Sequence, residues 1–332
     1  MSVNYKNLGL NDSEREWILK VRSIITPPPI KNEEEPIILP PDDEIWYTSS
    51  DGNIVRPASR IDTDVETGDS ILIYDGPYND IFGADIISNT YENGKGIIKF
   101  DGNVTKLEPS EEFIGNFSMF NEGDGGSNSR LTSITIPNSI TSIGGAAFYD
   151  CTGLTSITIP NSVTIIGDSA FANCFNLSSI TVNNNNTVYD SRGNCNAIIE
   201  TATNTLILGC KNTIIPNSVT IIEDYAFYNC SELTTLNIPN SVTRIGCLAL
   251  YNCYGLTSIT IPNSVTIIED EVFAGCYGLT SITILNTTPP TLTLGGMVFD
   301  NMSDCPIYVP SESVNTYKSS WSDYANRIQA IQ

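Results

Sequence analysis

The sequence predicts an α/β solenoid, in which one short strand per repeat builds a parallel concave sheet. Short helical or 3-10 turns line the convex side, and a small irregular region lies ahead of the array. Three observations carry this. The pentapeptides IPNSI and IPNSV recur with their prolines at 137, 160, 216, 239 and 262, at gaps of 23, 56, 23 and 23. Each sits in one frame, LTSITIPNSVTIIGDSAFANC from Leu154 to Cys174, which Leu131, Leu177, Leu233, Leu256 and Leu279 open in the other copies. Charge is scarce there: residues 1–115 hold 22 of the 38 acidic residues although 116–332 is nearly twice as long, so something other than charged helices fills the second region.

Within a unit, Leu-x-x-Ile-x-Ile alternates as a strand does, Pro then ends ladder donation, and Asn-Ser turns the chain. A period of 20 to 29 residues with this core is the signature of leucine-rich repeats. Val163, Ile166, Ala170, Phe171 and Cys174 then follow at spacings that suit a helical or 3-10 turn. Eight buried side chains gain no more than the ordering of 23 residues costs, so a unit cannot fold alone and stacking is obligatory. Strands about 4.8 Å apart would place Phe148, Phe171, Phe227, Phe273 and Phe299 in an internal spine.

The frame LxxIxIPxSVxxIxxxAFxxCxxL resembles the BspA-like leucine-rich repeat family, also described as the Treponema-type repeat, closely over about 131–305. A degenerate earlier copy, GIIKFDGNVTKLEPSEEF, aligns Ile98, Phe100 and Val104 with Ile157, Ile159 and Val163, which starts the array near Gly96. Two departures stand out. Ser162 and its equivalents occupy the place of the usual Asn ladder, which argues against that ladder here, and Leu250 replaces the Phe of one copy. The resemblance implies a surface or secreted, non-enzymatic adhesion or protein-binding molecule of anaerobic bacteria, with no cofactor. The opening MSVNYKNLGLNDSEREWILKVRS shows no signal peptide, which keeps a cytoplasmic location as the alternative.

Three segments follow from the pattern. Residues 1–95 hold a helix over 14–25 opened by a capping box at Ser13 to Glu16, a Pro-rich acidic linker from about Pro27, and a hairpin around Asp51-Gly52. Residues 96–305 form the solenoid, with a hairpin inserted near 188–209, where Ala197 to Thr201 and Thr205 to Gly209 flank an Ala-Thr-Asn connection. Residues 306–332 form a strand and helix that cap the open end. The unit after the insertion is irregular: the frame points Thr213 inward and Ile214 outward. Either Ile214 packs against one face of the hairpin, or a register change turns it inward.

The composition excludes much chemistry. There is no His, which removes Ser-His and Cys-His catalysis and His metal ligands. With 38 acidic against 16 basic residues the formal charge is -22, which repels nucleic acid, and no run is long and apolar enough for membrane insertion. Cys151, Cys174, Cys230, Cys253 and Cys276 repeat with the frame and read as one buried core site of free thiols. Cys195, Cys210, Cys247 and Cys305 lie off it; a Cys195–Cys210 disulfide across the hairpin is the alternative to two thiols. No C-x-x-C pair marks zinc. Asp62, Asp64, Glu66 and Asp69 fail the EF-hand pattern at Thr67 and Ile73 and read as a solvated acidic loop. Paired carboxylates of a glycan-active enzyme have nothing to fix them face to face.

The candidate binding surface is the outward side of the strands: Ser133, Thr135, Ser156, Thr158, Ser179, Thr181, Thr235, Asn237, Ser258, Thr260, Ser281 and Thr283. Such an uncharged hydroxyl array offers regularly spaced donors and acceptors to a protein or glycan ligand. The alternatives are β-compatible filler on a structural spacer or display stalk, and a lattice that orders water as ice-binding surfaces do.

Overall fold

The computed structural model describes residues 40–55, 57, 60–63, 70–73, 79–109, 120, 129–293, 297–300, 302 and 304–332. They fall within one compact unit, Leu39–Gln332. The expected helix over 14–25, most of the Pro-rich stretch and the acidic loop at 64–69 lie outside the described residues. The fold is a β-solenoid with parallel sheets and only a few short helical turns.

Each regular unit contributes to two rows of strands. Leu131–Thr135, Ser156–Ile159 and Ser179–Val182 pair in parallel one unit apart, with Ile134 opposite Ile157 and Ile157 opposite Ile180. Past the insertion, Ser258–Ile261, Ser281–Ile284, Ile307–Val309 and Ile328–Ala330 do the same. A second row of two-residue strands follows each Pro-Asn-Ser turn; Ser142–Ile143 pairs with Ile165–Ile166, and Ile221–Ile222 with Arg244–Ile245. Period-2 alternation sends every second long-strand residue inward, so Ile157, Ile159, Ile259, Ile261, Ile282 and Ile284 are buried.

The third side of each unit is a turn, and the backbone explains why it does not wind into a helix. Ala146, Asp150, Ser169, Asn173, Tyr225, Asn229, Leu248 and Asn252 all have positive φ, so a left-handed residue interrupts each turn twice. The turns are instead tied to one another. The N–H groups of Ala146, Phe148 and Asp150 donate to the carbonyls of Asp168, Ala170 and Ala172, and those of Tyr225, Phe227 and Asn229 to Cys247, Ala249 and Tyr251. Inside, Phe148 stacks on Phe120 and Phe171 at centroid distances of 5.3 and 5.0 Å. Phe273 stacks on Phe299, against which Trp321 and Tyr324 close the C-terminal end.

All nine cysteines are free, and eight are buried. The repeated thiols also hold the units together: Cys174, Cys253 and Cys276 donate to the carbonyls of Phe148, Phe227 and Leu250 at 3.1, 3.3 and 3.1 Å. A thiol ladder therefore takes the role of an Asn ladder, while the hydroxyls of Ser162, Ser241 and Ser264 are buried without a partner among the described residues. Cys195 and Cys210 are separate thiols, so the disulfide alternative falls.

The region before the array departs from the expected hairpin. Among the described residues Glu44–Ser49 does not pair with those that directly follow Asp51-Gly52. It lies between Lys95–Phe100 and Leu131–Thr135 and is antiparallel to both. The Asp51 turn is fixed instead by its carboxylate, which accepts bonds from Ser49, Asn53 and Arg130. Lys95–Phe100 buries Ile98 and Phe100 but pairs with Glu44–Ser49 and Ile86–Glu92. Lys106–Leu107 pairs in parallel with Ser142–Ile143 and so belongs to the second row.

The insertion forms an antiparallel hairpin, Ala197–Glu200 with Thr205–Gly209. Its faces are shared between two hydrophobic cores. Ile198, Leu208 and Cys210 join the core that runs from Ile45 through Val182. Ala197, Ile199 and Leu206 join the core that continues to Ile328. This overturns both expectations for Ile214. With each face of the hairpin covered, nothing is left for that side chain, which is 74% exposed, while Thr213 points inward at 9%. The register holds because the Thr213 hydroxyl donates to the Asn196 carbonyl at 2.6 Å and accepts the Cys210 N–H at 2.7 Å.

Candidate functional site

The long-strand face places ten of the twelve Ser, Thr and Asn residues in two blocks. In the first, Ser133, Ser156 and Ser179 stand opposite one another, as do Thr135, Thr158 and Thr181. In the second, Ser258 faces Ser281 and Thr260 faces Thr283. None of the twelve is buried and none is charged. Thr235 and Asn237 are exposed between the blocks, on a segment without strand pairing among the described residues. The hydroxyls thus form rows across strands, and the two blocks are not one continuous sheet.

Glu44–Ser49 extends the first block with residues that repeat reasoning cannot place. Thr48 stands opposite Ser133 and Trp46 opposite Thr135. The Thr48 hydroxyl lies 2.6 Å from those of Thr132 and Ser133. Trp46 is half-buried, its indole N–H donates to Glu44, and the Lys95 ammonium lies 2.9 Å from its ring centroid. The hydroxyl rows therefore end on an aromatic ring at one side. The signal that finds Trp46 is positional: in EIWYTS, Ile45 and Tyr47 are buried, so Trp46 and Thr48 take the opposite face.

Charge collects beyond this ring. Lys99 lies 3.7 Å from Asp43 and 3.9 Å from Glu44. At the far end, Tyr308 stands opposite Thr283 and Gln329 opposite Tyr308. Among the described residues no group of three or more Cys, Asp or Glu is placed to hold a metal ion, and no helix is long and apolar enough to cross a membrane. The face suits many weak hydrogen bonds and one stacking contact.

Fold and surface together define a repeat solenoid that displays a neutral polar face. The sequence matches the model of the BspA type leucine-rich repeat region in 6 copies, over residues 127–207 and 207–324. That is more than half of the chain, which therefore belongs to the BspA-type leucine-rich repeat family. What matches is a repeat region rather than a catalytic domain. A comparison with curated proteins returns no match. Among solved structures, the chain is similar to a leucine-rich repeat protein from Eubacterium ventriosum, with 23% identity and a TM-score of 0.44, over 59% of this chain and 53% of that one. It is also similar to a leucine-rich cell surface protein from Faecalibacterium prausnitzii, with 27% identity and a TM-score of 0.40, over 69% of this chain and 60% of that one. The chain thus spans less than two thirds of either protein.

Proposed function

We propose that the chain is a non-catalytic binding or adhesion module, displayed at the cell surface or secreted, which holds a protein or glycan partner on its long-strand face. One observation carries this reading: ten of the twelve outward positions form rows in register, and none of the twelve is charged, on a chain of formal charge -22. A face kept neutral on so acidic a molecule is suited to hydrogen bonding without long-range repulsion. Trp46 supplies an aromatic anchor of the kind that concentrates binding energy.

The test is an array of glycans and extracellular-matrix proteins probed with the purified chain, followed by Thr158→Lys with Thr260→Lys. Both side chains lie on the outward side of their strands, so the variant folds as the parent does. We expect at least one saturable partner, and the double variant to lose it. Unchanged affinity would place the contact off this face, and the absence of any saturable partner would favour a structural spacer.

A further inference from the structure

The insertion leaves a gap on the turn side that the regular units do not have. Between regular units the ladder uses N–H groups at alternate positions. Besides the rungs already described, Leu248, Leu250 and Asn252 donate to the carbonyls of Asp270, Val272 and Ala274. At the same positions of the unit before the insertion stand Ser169, Phe171 and Asn173, and their N–H groups have no partner among the described residues. On the opposite side the equivalent acceptors are the carbonyls of Asp224, Ala226 and Tyr228. Among the described residues only Ala226 is used, by the N–H of Gly209 at 2.8 Å. One layer of the ladder is missing, and in its place is a cleft of about 200 Å³ lined by Ile166 to Ala172, Ile207, Leu208 and Glu223 to Tyr225.

Three features say what fits. The Asn229 side chain bonds that of Asn173 across the same join, outside the cleft lining, whereas Ser169, Phe171 and Asp224 line the cleft and bring it two donors and one acceptor. The volume is below the roughly 300 Å³ at which small-molecule sites begin, and suits one side chain with its stretch of backbone. Asp168, Glu223 and Asp224 line the cleft beside the Tyr225 ring. The adjacent Arg244 lies 3.1 Å from Asp224 and 3.7 Å from Glu223, yet bonds Glu269 at 2.8 Å. Three carboxylates line the cleft, and the one guanidinium beside it is shared with Glu269, which leaves the cleft negative.

We propose that this cleft is a second binding site, which takes an extended peptide segment of a partner protein bearing a Lys or Arg side chain. The peptide carbonyls accept from Ser169 and Phe171, a peptide N–H donates to the Asp224 carbonyl, and the cationic side chain lies against the carboxylates and Tyr225. These N–H groups lack the carbonyls that the regular joins supply, so completing the ladder recovers bonds that those joins already have. The site is independent of the long-strand face.

The test uses the full chain and acetylated, amidated pentapeptides Ser-Thr-X-Thr-Ser with X as Lys, Arg, Ala or Glu. Residue-resolved amide hydrogen exchange is followed by NMR. At saturation the Lys and Arg peptides should slow exchange at Ser169 and Phe171 roughly tenfold, the Ala peptide less, and the Glu peptide not at all. Asp168→Asn with Glu223→Gln should weaken the Lys peptide roughly tenfold. Equal protection by the Glu peptide, or no protection by any peptide, overturns the proposal. So does finding these amides as slow in the free chain as those of Phe148 and Phe227, since the chain would then fill the cleft itself.

Discussion

Where one 23-residue unit directly follows another, three backbone rungs and a thiol bond tie their turns together. Across the longer unit the near side has no rung among the described residues, and the far side has one from Gly209 and a long thiol contact from Cys230, at 4.0 Å. The long-strand sheet divides at the same place, and so does the core. In a one-dimensional array each unit is stabilised only by its neighbours, so cooperativity is limited by the weakest join. The hairpin gives each core one of its faces, which keeps both covered while replacing uniform stacking with a seam.

The largest effect should come from pH, because it reaches both halves through the thiols. Burial pushes the Cys230 and Cys276 thiols from an ordinary 9.0 up to about 12, and raises Cys174 and Cys253 well above 9.0. The sign follows from proton counting: above about pH 9 the unfolded chain has released protons that the folded one still holds. This contribution is therefore complete below pH 9 and is lost as pH rises toward 12. Urea midpoints should fall steadily across that window, and a flat profile would remove the thiol ladder from the account of stability. Labelling under mild denaturation sharpens the comparison. The half-exposed Cys247 should react first, and Cys230 should lead the repeated thiols, since its contact at the seam is the longest.

Next in size are truncations that address one core at a time. Ile198→Ala removes a buried side chain from the first core and Leu206→Ala one from the second, each at about 2–5 kcal/mol. Segment-resolved hydrogen exchange should show each loss concentrated on its own side of the hairpin. If both variants lower protection equally along the whole array, the two cores unfold as one and the seam has no energetic meaning.

Gly209→Ala should have a smaller effect. A Cβ there would meet the Phe227 ring, because this backbone lies where Phe stands in the regular units. Overpacking of this kind costs about 1–3 kcal/mol, and it should be felt chiefly on the C-terminal side. An unchanged melting midpoint would show that the seam has room to spare.

What the sequence made legible follows the range of the interactions. The period, the inward Ile residues, the Phe stack and the buried thiols all depend on contacts between equivalent positions of neighbouring units, so spacing reveals them. The exposed Ser and Thr rows follow from the same alternation. Glu44–Ser49 escaped because its antiparallel place beside Leu131–Thr135 joins residues more than eighty positions apart, and Trp46 escaped with it. The turns read as helical from their apolar spacing, but positive φ at non-Gly residues such as Leu248 and Tyr225 leaves no mark in a hydrophobic pattern. The unpaired rungs at Ser169 and Phe171 exist only because the hairpin removes their partner, which no single unit foretells.

The smallest expected effect also tests the seam most directly, because it inverts the usual order of apolar and polar substitution. Ile214 stands exposed in a row of polar residues, so Ile214→Ala should change stability by no more than about 0.5 kcal/mol. Its neighbour is the anchor. Thr213→Val keeps the shape but removes the hydroxyl that serves both the Asn196 carbonyl and the Cys210 N–H, leaving buried groups unpaired at about 1–3 kcal/mol. Thermal melts of the two variants decide between register and burial as the force that sets this strand. If Ile214→Ala proves the costlier, the side chain is covered in solution, and the seam is closed by contacts on its outer face rather than by the hydroxyl beneath it.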